Sequence, residues 1–132
     1  MKFYEGIEKR EFLRVDYEKK INFNICSPKA ISSLAHAMTK NISSCGILFS
    51  SKKKLNVGDF VAIELDFHTL TDVVEIDDTV ISIDDKLLGK IVRVEELVPN
   101  KEYDIGVCFV KDSDADRDDV KSVIDVLKGE AD

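Results

Sequence analysis

Alternation with a period of two runs through most of the chain. In "KINFNI" (20–25), Ile21, Phe23 and Ile25 share one face, and Asn22 and Asn24 share the other. In "FVAIELDF" (60–67), Val61, Ile63, Leu65 and Phe67 oppose Phe60, Ala62, Glu64 and Asp66. In "YDIGVCFV" (103–110), Tyr103, Ile105, Val107 and Phe109 line up. Side chains of an extended chain point alternately to opposite faces, so each stretch predicts a half-buried antiparallel strand. "GILFS" and "KLLGKIVRVEEL" add two more strands, while "NVGD" (56–59) and "PNKE" (99–102) carry turn residues. So many short strands in one short chain predict a barrel, because closure removes exposed sheet edges. Residues 68–86 read either as a long loop or as an additional hairpin.

The period changes only at the C-terminal end. Val120, Val123, Ile124 and Leu127 recur at i, i+3, i+4 and i+7, the spacing of one helix face. Ser113 and Asp116 have the spacing of a capping box. Asp116, Asp118 and Asp119 suit the positive end of the helix dipole, and Gly129 suits the stop. The prediction is a single domain: an N-terminal segment over 1–14, a β-barrel over 15–111 and a helix over 113–128.

Length and composition agree with one soluble globular domain. The chain has 132 residues and ordinary apolar and charged fractions. No apolar run is long enough for a membrane helix, and residues 2–20 are too charged for a signal peptide. The net charge of −7 argues against DNA or RNA as a partner, because phosphate neutralisation needs a basic surface. Cys26, Cys45 and Cys108 are odd in number, widely spaced and without a CxxC pair. They are expected to be reduced, small core hydrophobes in a cytoplasmic protein. Charge is distributed unevenly. Residues 64–85 carry eight acids and no Lys or Arg, whereas 40–54 carry Lys40, Lys52, Lys53 and Lys54 and no acid. Basic spots on an acidic body suggest a small anionic ligand rather than a polyanion.

Catalytic and metal chemistries find no support. Asp112, Asp114 and Asp116 imitate the start of a calcium loop, but Arg117 stands where the loop needs Gly and Val123 where it needs Glu. His36 and His68 have no ligand or triad partner at a readable spacing. Ser43 and Ser44 lie in no GxSxG elbow. No catalytic residue and no metal ligand is predicted, and an enzyme is not expected.

Two short patterns remain, Arg10-x-x-x-Arg14 and Asn41-x-Ser43-x-x-Gly46. Their plain accounts are two solvated arginines one helical turn apart and an Asx or Ser/Thr turn into a strand. Together, in this order and with one barrel strand, "VDYEKKINFNI", between them, they resemble the RxxxR and [DN]xSxxG motifs of the PilZ domain family. The resemblance extends over "KKLNVGDFVAIELDF", "GKIVRVEEL", "YDIGVCFV" and "DADRDDVKSVIDVL", nearly all of Lys9 to Leu127. Asn41 stands where the family more often has Asp, and 68–86 is longer than the usual hairpin.

The resemblance implies a six-stranded antiparallel barrel with a C-terminal helix in a bacterial, cytoplasmic protein. It implies a non-enzymatic receptor for cyclic di-GMP that regulates a downstream protein and inserts into no membrane. The implied ligand-binding residues are Arg10, Arg14, Asn41, Ser43 and Gly46, with Lys9 and Ser44 as further candidates; no cofactor is implied. The chemistry suits these residue types. The planar fork of Arg matches both guanine O6/N7 and phosphate, Asn and Ser bond base edges or phosphate, and Gly permits close approach. Two rival readings are a ligand-free adapter of the same fold and an OB-type nucleic-acid binder. Charge and a shortage of exposed aromatics disfavour the second.

Overall fold

Backbone donors and acceptors shut into an apolar core must find partners. This chain supplies them by rolling its strands into a closed sheet. The computed structural model describes residues 15–27, 31–32, 34–64 and 79–129. The strands are β1 (Val15–Asp16), β2 (Lys20–Cys26), β3 (Ala35–Ile42), β4 (Gly46–Ser51), β5 (Phe60–Glu64), β6 (Ser82–Ile83), β7 (Lys86–Val98) and β8 (Glu102–Phe109). All pairings are antiparallel, in the order β3-β2-β5-β7-β8-β4, and β3 pairs with β4 to close a six-stranded barrel.

The interior is built from the alternation. Ile21, Phe23, Val61, Ile63, Tyr103, Ile105, Val107 and Phe109 point into one buried cluster with Phe49 and Ile91. Phe23 and Phe49 meet at 5.1 Å between ring centroids, tilted by 44°, a favourable aromatic contact. Leu65, Phe67 and His68 lie outside the described residues.

A second cluster changes the reading of β5. Phe60 and Ala62, assigned by alternation to an exposed face, are 4% and 1% exposed. They pack with Cys26, Leu88 and Val110 beneath Val120 and Val123 of helix α1 (Asp118–Leu127). β5 is therefore buried on both faces, and the unbroken run Phe60-Val61-Ala62-Ile63 is the sequence mark of that state. Helix α1 also differs from the prediction. Ser113 lies in a 3₁₀ turn (Asp112–Asp114), the N-cap is Arg117, and no side chain caps it. The first turn is instead rich in acid, with Asp119 Oδ1 accepting the Val120 N–H at 2.8 Å. Gly129 at φ 73° ends the helix as expected.

Part of the uncertain 68–86 stretch proves to be a hairpin. β6 pairs with the start of β7 across Asp84–Asp85, both left-handed at φ 51° and 64°. Two left-handed residues make the mirror-image turn that matches strand twist. Residues 68–78 lie outside the described residues.

All three cysteines are free thiols, but only Cys26 is a core residue; Cys45 is half-buried and Cys108 is exposed. Cys108 sits in β8 between inward-facing Val107 and Phe109, and that alternation turns it outward. Burial pushes the Cys26 thiol from 9.0 up to about 11, against smaller opposing effects of the Ala62 backbone and Lys86. The unfolded chain then releases this proton at lower pH than the folded one. Cys26 should contribute a fall in stability as pH rises from about 9 to about 11, with none below that window. Urea unfolding across this range, compared with Cys26→Ala, checks it: the variant should lose that part of the fall.

Candidate functional site

The second motif forms the turn joining β3 to β4. Asn41 is half-buried near the end of β3, opposite Leu48 of β4 and Asp16 of β1. Ser43 is 5% exposed and holds the turn together. Its N–H donates to the Gly46 carbonyl at 2.9 Å, and its hydroxyl accepts the Cys45 N–H at 3.3 Å. This is the Ser/Thr turn that the plain account anticipates. Ser44 at the tip is half-buried.

Gly46 has a reason of its own. A Cβ there would stand 2.2 Å from the Val107 carbonyl oxygen of β8. The close approach that demands glycine is thus between strands.

The first motif lies outside the described residues: Lys9, Arg10 and Arg14 precede Val15. Its connection to the second motif is nevertheless fixed at Val15. Val15 pairs with Ile42, and Asp16 pairs with Asn41. The residue that follows Arg14 in the chain is therefore in register with the residue between Asn41 and Ser43.

Sequence alone gives "VDYEKKINFNI" as one strand. The structure divides it into β1 and β2, both on β3, with Tyr17–Lys19 bulged between them. A bulge leaves backbone groups without ladder partners. Thr39, fully buried, takes them up: its hydroxyl donates to the Tyr17 carbonyl and accepts the Lys19 N–H at 2.8 Å. Thr39 thus fastens the stretch following the first motif to the strand carrying the second. Nothing in the sequence distinguishes this threonine from any other strand residue. Thr39→Val should strand the Lys19 N–H and cost about 1–3 kcal/mol, measured by urea unfolding. A variant as stable as the parent would show the bulge does not need the hydroxyl.

Lys40 forms an ion pair with Asp104 of β8 at 2.7 Å, with side chains 40% and 14% exposed. That cation is engaged within the barrel wall. Among the described residues no group of three or more His, Cys, Asp or Glu side chains could hold a metal ion. Among them, too, no helix is long and apolar enough to cross a membrane.

No curated protein matches the chain. The family model of the PilZ domain, a family of cyclic di-GMP receptor and effector domains, matches residues 8–125. That span takes in both motifs, the six-stranded closed barrel and nearly all of helix α1. The chain belongs to the PilZ domain family.

Proposed function

We propose that the protein binds cyclic di-GMP and acts as a non-enzymatic cytoplasmic receptor, changing the surface it offers to a downstream protein. The observation that carries this reading is the register of β1 on β3. Val15↔Ile42 and Asp16↔Asn41 bring the chain leaving Arg14 alongside Asn41-x-Ser43. A dinegative ligand with two guanine edges needs cations and hydrogen-bonding groups together. Arg10 and Arg14 supply the first, and the β3–β4 turn supplies the second. Lys9 and Ser44 are further contacts within the same proposal.

The roles divide by position. Arg10 and Arg14 read guanine O6/N7 or pair with phosphate. Asn41 bonds a base edge. Ser43, committed to its turn, positions the backbone of the tip and keeps a lone pair for ligand. Gly46 sets the strand spacing on which the turn rests. Ligand binding alters the surface offered to the downstream protein, a population shift driven by the ligand's preference for one form.

Calorimetric titration with cyclic di-GMP, and with cyclic di-AMP as control, tests this reading. Adenine presents a donor where guanine presents O6, so arginine forks chosen for guanine should discriminate strongly. Saturable binding of the guanine ligand alone is expected. Equal binding of both, or of neither, would contradict the proposal, and the second outcome would favour the ligand-free adapter.

A further inference from the structure

The acid-free stretch 40–54 is only partly explained by the motif turn, and its remaining lysines border a different feature. At the end of the β3–β4 ribbon away from that turn, the barrel wall parts. β3 and β4 stay paired from Ile42↔Ile47 to Met38↔Ser50, whereas among the described residues Ala35–Ala37 pair with β2 alone. The cause is local to Ser51. Its hydroxyl accepts the Lys53 N–H at 3.0 Å and donates to the Lys53 carbonyl at 2.9 Å, ending the strand in a tight curl. A cleft of about 980 Å³ opens between Ala35–Met38 on one side and Ser50–Lys53 with the tip of the β7–β8 hairpin on the other.

Two properties of this cleft point to its occupant. The first is an open strand edge. Antiparallel pairing sends the N–H and C=O of alternate residues toward opposite neighbours. The Thr39 N–H donates to the Lys19 carbonyl on the β2 side. The same phase turns the N–H and C=O of His36 away from β2, into the gap. Such an edge is a template for another strand. The second property is charge. Lys20, Lys52, Lys53 and Lys101 border the cleft, all four exposed, and Glu102 is the one acid among its described lining residues. Four cations around one opening stand out on a chain of net charge −7. Between these cations the lining is apolar, from Ala35, Ala37, Met38 and Val98, and Met38 and Val98 are 41% and 40% exposed.

We propose that this cleft docks an extended acidic segment of a partner protein, which adds as a strand to the Ala35–Ala37 edge of β3. The segment would alternate small or medium apolar residues, facing the apolar lining, with Asp or Glu facing the lysines. Nucleic acid fits less well: among the described lining residues there is no arginine and no Phe, Tyr or Trp ring for base stacking. The cleft lies about six strand residues, roughly 20 Å, from the motif turn. The proposal therefore stands apart from nucleotide binding.

A fluorescent peptide of alternating valine and glutamate tests it on the whole chain. Anisotropy should show saturable binding that weakens with salt, and amide shifts should concentrate in Ala35–Met38 and Ser50–Lys53. Charge reversal at exposed Lys52→Glu with Lys53→Glu should weaken binding about tenfold or more while leaving circular dichroism unchanged. N-methylating alternate peptide bonds should abolish it, because strand addition runs through the main chain. Absence of binding, shifts elsewhere, or equal affinity for a valine–lysine or N-methylated peptide would overturn the proposal. So would displacement of the peptide by tripolyphosphate or an oligonucleotide with the same amide shifts, which would make the cleft an anion site. Self-association abolished by the charge reversal would make the occupant a second copy and overturn it equally.

Discussion

Arg14→Ala and, separately, Arg10→Ala are expected to weaken cyclic di-GMP binding by about one to three orders of magnitude. A hydrogen bond to a charged group contributes ~1.5–3 kcal/mol, and an arginine in two-point contact loses more than one. Each ~1.4 kcal/mol is a factor of ten. The fold should survive both changes, because among the described residues the barrel pairings begin at Val15. Arg14→Lys separates the two roles open to that residue. Lysine keeps the charge and loses the planar fork. If Arg14 reads a guanine edge, the lysine variant should recover little of the lost affinity; near-full recovery would mark a point charge on phosphate. Calorimetry on the three variants decides, and parental affinity in both alanine variants would remove the first motif from the site.

The largest effect on stability is expected at Gly46. Gly46→Ala would place a methyl group 2.2 Å from the Val107 carbonyl oxygen, a backbone atom of β8. A flexible side chain could swing aside, but a paired strand cannot. Gly46 faces Cys108 across the ladder and closes its turn onto Ser43. β4 and β8 would have to separate. Overpacking costs about 1–3 kcal/mol and sometimes more, and this position belongs at the upper end, about 3 kcal/mol. A urea midpoint equal to that of the parent would contradict this contact. The consequence for the nucleotide site is practical. Loss of binding in Gly46→Ala would report the β4–β8 contact, so Gly46 is a poor probe of ligand contact.

Much of the barrel was legible because period-two alternation is a local property. Tyr103, Ile105, Val107 and Phe109 needed no knowledge of their partners to be assigned inward. What failed was set by distant chain. Phe60 and Ala62 are covered by Val120 and Val123, some sixty residues later, and alternation within β5 could not foresee that lid. Cys108 was expected in the core on residue type, and its place between two inward residues overrides that preference. Ser113 had the spacing of a cap, but the chain first makes a 3₁₀ turn and starts its helix at Asp118. The candidate site divides in the same way. Asn41, Ser43 and Gly46 could be read from spacing, and the turn they form is local. The Gly46 contact with Val107, the ion pair of Lys40 with Asp104 and the hold of Thr39 on Tyr17–Lys19 all cross between strands. No spacing rule encodes them.

Under the proposed function the two motifs form one cyclic di-GMP site, joined through the pairing of Val15 with Ile42. An amide-resolved titration of labelled protein with cyclic di-GMP tests it most directly. Amides of Arg10–Val15 and of Asn41–Gly46 should shift together along one saturation curve, while those of Ala35–Ala37 and Ser51–Lys53 stay in place. Shifts confined to one motif, two different saturation curves, or a response centred on the basic cleft would contradict it.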